Sequence, residues 1–296
     1  MTQLVELQRV LPELEAAGYC LYAISYDSVE QLRNFADKYN ITYPLLADVG
    51  SLVIKRYGIL NTLISSDEPG QRWYGIPFPG TYVTNESGMV VRKYFNQHHA
   101  IRESGETLRD QLLGRVSDDA AATGVTLSED DIEVTAFLRE PNLKLEIAST
   151  IYCRIKLPPG LHIYADPVPN GFVATHVEIA PTRGLRVGTP IYPPSEPYEL
   201  ESLGTRFNVF TGVVDIGIPV ALSSELVKLG HTREVDSLLI EMKIKYQACN
   251  DTTCLRPRAM QIRFDAPIGD VIVPNGIQVY VDRVNRFTKS RPFAKE

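Results

Sequence analysis

Two cysteines that could carry out thiol–disulfide chemistry, Cys249 and Cys254, lie close together in the C-terminal half of the chain. Apolar residues alternate along 236–248 and again along 258–265, and the residues Asn-Asp-Thr-Thr separate the two cysteines. Alternation with a period of two predicts strands, and short polar side chains favour a turn, so we predict a β-hairpin. Opposed residues of an antiparallel pair have Cβ atoms about 4.5–5.5 Å apart, close to what a disulfide requires.

The residues alone leave three interpretations of this pair open. A structural disulfide is the first, although closing so short a loop contributes only about 2 kcal/mol by chain-entropy arithmetic. Half of a zinc site is the second, but no further close pair of Cys or His residues completes four ligands. A redox-active pair is the third. The cations Lys245, Arg256 and Arg258 favour a thiolate, and Asp251 opposes them.

The residues around the pair resemble the active-site hairpin of a known domain. Residues 246–249 are Tyr-Gln-Ala-Cys, and a polar turn, Cys254 and Pro257 follow them. This order resembles the N-terminal immunoglobulin-like domain of the disulfide reductase DsbD. The resemblance maps that family's paired cysteines onto Cys249 and Cys254, which would exchange electrons through a mixed disulfide. It implies that Cys254 is the attacking thiol and that Tyr246 is a supporting residue.

An earlier stretch agrees with this resemblance. Gly160, His162 and Tyr164 have the spacing Gly-x-His-x-Tyr, which is similar to a segment of the same domains. We expect His162 and Tyr164 to support the hairpin, either by packing near it or by transferring protons. The resemblance covers about residues 131–266 and implies an immunoglobulin-like sandwich. Alternating strands separated by proline-rich connections also predict an antiparallel β-sandwich there.

The first half of the chain has a different pattern, in which helical and strand segments alternate from Thr2 to about Gly114. Strand–helix alternation followed by a hairpin and a final helix predicts an α/β fold with a mixed sheet. The same order occurs in the thioredoxin fold. Over residues 2–115 the chain resembles the alkyl hydroperoxide reductase/thiol-specific antioxidant (peroxiredoxin-like) branch. Four stretches carry this resemblance: Ile-Ser-Tyr-Asp-Ser at 24–28, Tyr-Pro-Leu-Leu-Ala-Asp at 43–48, Tyr-Gly-Ile at 57–59 and Pro-Gly-Thr-Tyr-Val at 79–83.

This second resemblance has consequences for chemistry. In that fold a cis-proline precedes the strand beside the reactive cysteine, and Pro79 is the matching position, so we expect a cis bond there. The first strand and the reactive cysteine of the family are absent ahead of Thr2. We expect either a start codon assigned too late or a variant without peroxidatic chemistry, and no peroxidase activity from the chain as given. In a longer chain, the sandwich would relay electrons to those thiols.

The other two cysteines are expected to be structural. Cys20 lies in the apolar stretch 19–25, and Cys153 alternates with apolar residues within 148–157. A buried cysteine behaves as a small hydrophobe, so we predict that both lie in the cores of their domains. A peroxidase that uses Cys20 is therefore a weaker alternative.

Length and composition bound the remaining possibilities. A length of 296 residues predicts two domains. We expect a thioredoxin-like domain at 1–115 and a sandwich at 131–266, joined by a linker of small, polar and acidic residues at 116–130. A C-terminal extension follows at 267–296. A net charge of −6 without a basic patch argues against nucleic acid as a partner. No apolar run approaches about 18 residues, so no membrane span is expected.

These observations favour a thiol–disulfide oxidoreductase that needs no cofactor or metal and exchanges electrons with thioredoxin-like or other dithiol proteins. The alternative is a non-catalytic interaction module with a thioredoxin-fold scaffold and a static disulfide. No signal peptide is visible, which favours the cytoplasm, whereas a truncated N-terminus would allow the periplasm.

Overall fold

The computed structural model describes residues 2–62, 74–95, 101–116, 118–145, 147–200, 205–223, 226, 235–250 and 252–269. Most of the predicted C-terminal extension, from position 270 onwards, lies outside these ranges. Within them, an α/β region precedes a set of antiparallel sheets, which is the predicted order of fold classes. None of the helices in these ranges has the length and apolar character needed to cross a membrane.

Helices and short strands alternate in the α/β region. In chain order its elements are α1 (Thr2–Ala16), β1 (Ala23–Ser25), α2 (Val29–Tyr39), β2 (Leu45–Ala47), α3 (Leu52–Arg56), β3 (Thr81–Thr84), β4 (Val90–Tyr94), β5 (Arg102–Glu103) and α4 (Gly105–Leu113). Apolar residues recur every three or four positions in α1 and are buried together with Ile41, Tyr43 and Leu108 of α4. Helical periodicity therefore determines which face of α1 enters this core.

Four of the five strands of this region form two separate pairs, whereas the sequence predicted one mixed sheet. Strands β1 and β2 are parallel, and β3 and β4 are antiparallel. No strand in the described ranges hydrogen-bonds to both pairs. A mixed sheet requires a strand shared by the two ladders, and the alternation of apolar residues does not reveal whether one is present.

The prediction that Cys20 lies in a buried strand is wrong. Cys20 is exposed, and β1 begins only at Ala23. Along this stretch Tyr19 and Leu21 pack against the helical core, whereas Tyr22 and the following alternate residue Ile24 are exposed. The apolar composition of 19–25 predicted burial of the whole stretch, but only one of its faces is covered by other described residues.

The prediction of a cis bond before Pro79 is also wrong, because that peptide bond is trans. The cis bond found within the described ranges is the one between Asp166 and Pro167. Most X–Pro bonds are trans, and the preceding residue Phe78 donates its amide to the carbonyl of Ile59 (2.6 Å), which holds the segment in place. A role for Pro79 as a supporting residue stays a prediction.

The second region begins with a short helix and continues as strands. In chain order its elements are α5 (Asp118–Ala121), β6 (Val125–Glu129), β7 (Ile132–Leu138), β8 (Ile147–Lys156), β9 (His162–Tyr164), β10 (His176–Ile179), β11 (Leu185–Val187), β12 (Glu196–Leu200), β13 (Thr205–Thr211), β14 (Val213–Leu222), β15 (Ser237–Tyr246), β16 (Ala248–Cys249) and β17 (Arg258–Pro267).

These strands form three sheets around one core. The orders are β11-β14-β8-β7-β6, β10-β15-β17 and β12-β13-β9-β16. Buried side chains from all three sheets meet in a single apolar cluster that includes Ile155, Ile163 and Ile244. Cys153 of β8 belongs to this cluster and is fully buried, which confirms its predicted place in the core. Burial raises the pKa of its thiol far above the ordinary value.

The stretch predicted as a linker, 116–130, contains secondary structure. Helix α5 lies within it, and β6 pairs in register with β7 from Val125↔Ala136 to Glu129↔Ile132. A polar composition hid this strand, because both of its faces are exposed at the edge of the sheet. The exact division of the chain into domains stays a prediction.

The two regions meet at one end of the sandwich. Strand β5 pairs with the first residues of β8, where Arg102 faces Ile147 and Glu103 faces Ala148. Asp110 of α4 lies between Arg109 and Arg139, and both guanidinium groups donate to its carboxylate. We call this contact the junction end of the sandwich.

A second buried carboxylate, Glu140, completes the junction end. Ser104 donates its hydroxyl to Glu140 Oε1, as does Thr107 (3.1 Å), and the Thr150 amide donates to Oε2 (3.2 Å). Burial raises the pKa of Glu140 to about 7, and the hydrogen bond from Ser104 acts in the opposite direction. Since these donors come from both regions, the carboxylate links them.

Candidate functional site at the cysteine hairpin

The predicted strands on either side of the cysteines are present. Strands β15 and β17 are antiparallel, from Ser237↔Pro267 to Tyr246↔Arg258. The chain then leaves this sheet at Gln247, and β16 joins the sheet of β9 instead. The two cysteines oppose each other in an isolated bridge with Cα atoms 4.2 Å apart, and they form a disulfide. The sequence predicted a simple hairpin, but the cysteines lie where the chain changes sheets.

Local hydrogen bonds fix the loop between the cysteines. Asn250 Oδ1 accepts from the amides of Thr252 (2.9 Å) and Thr253 (2.7 Å), as expected for a turn formed by a short polar side chain. Gln247 fixes its base: its Nε2 donates to the carbonyl of Leu255 (3.2 Å), and its Oε1 accepts from the Val173 amide (3.0 Å). The loop is therefore anchored to the sandwich rather than held by the disulfide alone.

The two sulfurs have different access to solvent. Cys249 is 1% exposed and belongs to a buried cluster, whereas Cys254 is exposed. An incoming thiol can therefore reach Cys254 more readily than Cys249.

Rings on one face of the sheet β12-β13-β9-β16, together with Phe172 from the segment between β9 and β10, form an aromatic wall beside the disulfide. His162 of β9 lies opposite Cys249 in the ladder, and Tyr164 lies two positions further along the same face. The Tyr164 hydroxyl is 3.6 Å from Cys254 Sγ. The remaining members of this aromatic wall are Phe172, Tyr198 and Phe207, whose rings contact His162, Tyr164 or each other.

The aromatic wall buries the ring of Tyr164. Its ring packs against Phe172 and Phe207 with centroids 5.1 Å away in each case. Burial raises the pKa of Tyr164 to about 12, with Tyr198 acting in the same direction. Like an ordinary phenol, Tyr164 is protonated at neutral pH, and it can donate its hydrogen to a sulfur at position 254.

The cations near the pair are not equivalent. Arg258 forms ion pairs with Glu129 and Asp130, so its charge is already compensated. Lys245 and Arg256 are exposed. Solvent screens exposed charges, so their effect on a thiolate is small.

The structure brings together only part of the predicted site. Cys249, Cys254, His162 and Tyr164 lie side by side. Tyr246 is fully buried in the main core, where its hydroxyl donates to Met260 Sδ (3.9 Å) and burial raises its pKa. The role of Tyr246 as a supporting residue stays a prediction, and no contact between Tyr246 and either sulfur is found to support it.

Pro79 is in the α/β region and is not part of this site. Sequence reasoning missed Gln247, Phe172, Tyr198 and Phe207. The alternation of Tyr198 and Phe207 with polar residues in their strands was the available signal, but it does not identify which distant strand they face.

The cysteine pair lies at the end of the sandwich opposite the junction end. The junction involves the first residues of β8, whereas the last residue, Lys156, pairs with Val213 next to the strands that carry the site. With about 3.3 Å per residue, the length of β8 separates the two ends by roughly 30 Å. The sheet of β15 and β17 has the same orientation. Its pair Tyr246↔Arg258 lies at the cysteine end, and its pair Ser237↔Pro267 lies at the junction end.

Comparison with known proteins assigns both regions. Residues 1–93 match the AhpC/TSA family, and residues 139–266 match the family "Thiol:disulfide interchange protein DsbD, N-terminal". The chain thus joins an AhpC/TSA peroxiredoxin-like domain to a DsbD N-terminal domain with an immunoglobulin-like fold. Both domain types come from thiol–disulfide redox proteins, and the Cys249–Cys254 disulfide lies in the DsbD-like one.

Individual relatives support this assignment in the first region. The chain is 32% identical over 97 residues to "Peroxiredoxin Q, chloroplastic" of Sedum lineare, which covers 33% of this chain and 47% of that protein. It is 31% identical over 81 residues to "Putative peroxiredoxin bcp" of Coxiella burnetii, which covers 27% of this chain and 51% of that protein. The chain thus spans about half the length of these curated relatives.

Two solved structures match part of this chain. The DsbD N-terminal domain of Neisseria meningitidis in the reduced form has a TM-score of 0.27 at 17% identity, covering 40% of this chain and 77% of that one. The N-terminal periplasmic domain of ScsB from Proteus mirabilis has a TM-score of 0.33 at 13% identity, covering 56% and 58%.

Proposed function

We propose that this chain is a thiol–disulfide oxidoreductase that exchanges electrons through Cys249 and Cys254. The observation that carries the proposal is the difference in access between the two sulfurs, since Cys254 is exposed and Cys249 is 1% exposed. A static disulfide gains nothing from such a difference. An exchanging pair needs it, because one sulfur must meet the partner and the other must be kept for the intramolecular step.

The proposed exchange moves two electrons. A partner thiolate attacks Cys254 Sγ, the Cys249–Cys254 bond breaks, and Cys249 leaves as a thiolate that takes up a proton. The second thiol of the partner loses its proton and attacks the partner's own sulfur in the mixed disulfide, which releases Cys254 as a thiolate. The partner is oxidised to a disulfide and this chain is reduced to a dithiol. The same steps in reverse reduce a partner disulfide.

The partner in this proposal is a separate dithiol or disulfide protein, such as a thioredoxin-like one. The chain's own α/β region contacts the sandwich at the junction end, roughly 30 Å from the cysteine pair by the length of β8. A relay to thiols in an AhpC/TSA-type domain would therefore have to run between two molecules.

Peroxidase activity is not part of the proposal. Cys20 is exposed, so burial does not prevent it from reacting. Among the described residues, however, no hydrogen bond or ion pair is found that would activate its thiol. We therefore expect no peroxide reduction beyond that of free cysteine.

The test is the reduction potential of the pair together with trapping of the mixed disulfide. In glutathione buffers, alkylation and mass shift should give a midpoint well above about −300 mV, which marks an exchanging pair. Cys249→Ser should accumulate a mixed disulfide on Cys254, whereas Cys254→Ser should form none. Cys20→Ser is the matched control and should behave like the wild type.

A pair that stays oxidised far below that potential would contradict the proposal. The alternative would then hold, namely an interaction module in which the disulfide is a structural link.

A further inference from the structure

The side chain of His162 lies next to the sulfur that leaves in the proposed exchange. His162 of β9 and Cys249 of β16 are direct partners in an antiparallel ladder. Partners in such a ladder project from the same face with Cβ atoms about 4.5–5.5 Å apart, which is within reach for an imidazole and a thiol. Apart from Cys254, its partner in the disulfide, no other titratable residue is a bridge or ladder partner of Cys249 among the described residues.

The aromatic wall holds this imidazole in place. His162 is 5% exposed, and its ring lies 4.4 Å from the ring of Tyr198 and 5.5 Å from that of Tyr164. A ring fixed in this way keeps one orientation towards Cys249, because rotation would require its neighbours to move.

The exchange creates a need for a proton at this position. When the disulfide opens, Cys249 becomes a thiolate in a site that is 1% exposed. Burial disfavours the charged form of a thiol, as the raised pKa of the buried Cys153 in the same domain illustrates. Bulk water does not reach Cys249 readily, so an adjacent side chain has to supply the proton.

We propose that His162 is the proton donor and acceptor for Cys249, an inference that rests on the proposed function. In the reductive direction the partner thiolate bonds to Cys254 Sγ, the disulfide bond breaks, and the His162 imidazolium gives its proton to the departing Cys249 sulfur. The products are a mixed disulfide, a neutral thiol and a neutral imidazole. In reverse, neutral His162 takes the thiol proton, and the Cys249 thiolate attacks Cys254 Sγ and expels the partner thiolate.

The titratable groups that face His162 among the described residues include the phenols of Tyr164 and Tyr198 and the thiol of Cys249. The pKa of Tyr164 is raised to about 12 by burial. A pH step in the reduction rate that disappears when His162 is replaced is therefore attributable to the imidazole.

The test measures how fast dithiothreitol reduces the oxidised protein between about pH 5.5 and pH 8.5, with each rate constant divided by the thiolate fraction of the reagent. For the wild type, the corrected rate constant should fall by about tenfold or more as His162 loses its proton. His162→Phe keeps a ring in the aromatic wall and should give a low corrected rate constant without this pH step. His176→Gln, at an exposed histidine of the same domain, should retain the wild-type profile.

Several outcomes contradict the inference. A wild-type corrected profile that is flat would overturn it without any variant, and so would an unchanged step in His162→Phe. If His162→Phe does not fold, His162→Gln replaces it. Failure of the proposed function is distinct: the wild type would then be reduced no faster than a buried structural disulfide, at any pH, and would show no trapped intermediate in Cys249→Ser.

Discussion

The two ends of the sandwich solve the problem of buried polar groups in opposite ways. At the junction end, ionised and hydrogen-bonded side chains are buried together, with Asp110 between two arginines and Glu140 among three donors. At the cysteine end, the surroundings of the disulfide are aromatic rings, and one sulfur stays exposed. The first arrangement holds two regions together, and the second leaves a bond accessible.

This difference has an energetic reason. A buried charge that loses its partner is very costly, so the junction end resists opening. Neutral rings contribute packing but impose no such penalty when the state of the neighbouring sulfurs changes. Chemistry at the cysteine end can therefore proceed without disturbing the contact at the junction end.

The largest expected effect is the loss of exchange activity when the cysteine end is altered. Cys254→Ser should abolish exchange with dithiol partners, because the remaining sulfur is buried. It should lower the free energy of unfolding by only about 2 kcal/mol, since the loop closed by the disulfide is short. Insulin reduction and chemical denaturation measure the two quantities. Undiminished exchange in this variant would place the activity elsewhere in the chain.

A substitution at the junction end should have the reverse effect: it should lower the free energy of unfolding and leave thiol–disulfide exchange intact. Asp110→Ala leaves Arg109 and Arg139 buried without their shared carboxylate, and the free energy of unfolding should fall by about 3–5 kcal/mol. Exchange at the cysteine end should persist at temperatures where the variant is folded. The control is Glu199→Ala, which removes an exposed ion pair with Arg206 and should change stability by less than about 1 kcal/mol. Equal effects of the two variants would remove the contrast between the ends.

The pH dependence of the free energy of unfolding should arise in part from Glu140 at the junction end. Burial raises the pKa of Glu140 from 4.5 to about 7, so the folded state binds more protons than the unfolded state between these values. Stability from this group is therefore complete below pH 4.5 and is lost as pH rises through 7. In Glu140→Gln, the loss of stability between about pH 5 and pH 8 should be smaller than in the wild type by about 2–3 kcal/mol.

Denaturation curves at several pH values provide that measurement. Asp110, whose pKa burial raises to about 6 against the influence of Arg109, contributes a slope of the same sign that remains in the variant. Identical slopes in Glu140→Gln and the wild type would show that Glu140 is not buried as a protonated acid.

The smallest effect concerns the contact between Tyr164 and Cys254. Tyr164→Phe removes a donor 3.6 Å from Sγ and should raise the pKa of the reduced Cys254 thiol by less than about one unit, because one hydrogen bond is worth about 0.5–1.5 kcal/mol. The rate of iodoacetamide alkylation against pH gives this value. Tyr246→Phe is the matched control, since its hydroxyl lies on Met260 in the core, and it should leave the thiol pKa unchanged.

Patterns local in the chain determined much of this protein. Alternation with a period of two identified the strands around the cysteines and the core position of Cys153, and helical spacing identified α1. Each of these depends on residues a few positions apart, whose geometry the backbone fixes. The resemblances also placed His162 and Tyr164 in the segment that borders the pair.

Contacts between distant segments decided the rest. The apolar stretch around Cys20 predicted a buried strand, but whether each face of it is covered depends on elements far along the chain. Likewise, the spacing of Cys249 and Cys254 predicted that they could pair, whereas the departure of β16 into the sheet of β9 buries one sulfur and leaves the other exposed. Periodicity fixes which side chains point the same way, but burial depends on what packs there, and that is a property of the tertiary structure alone.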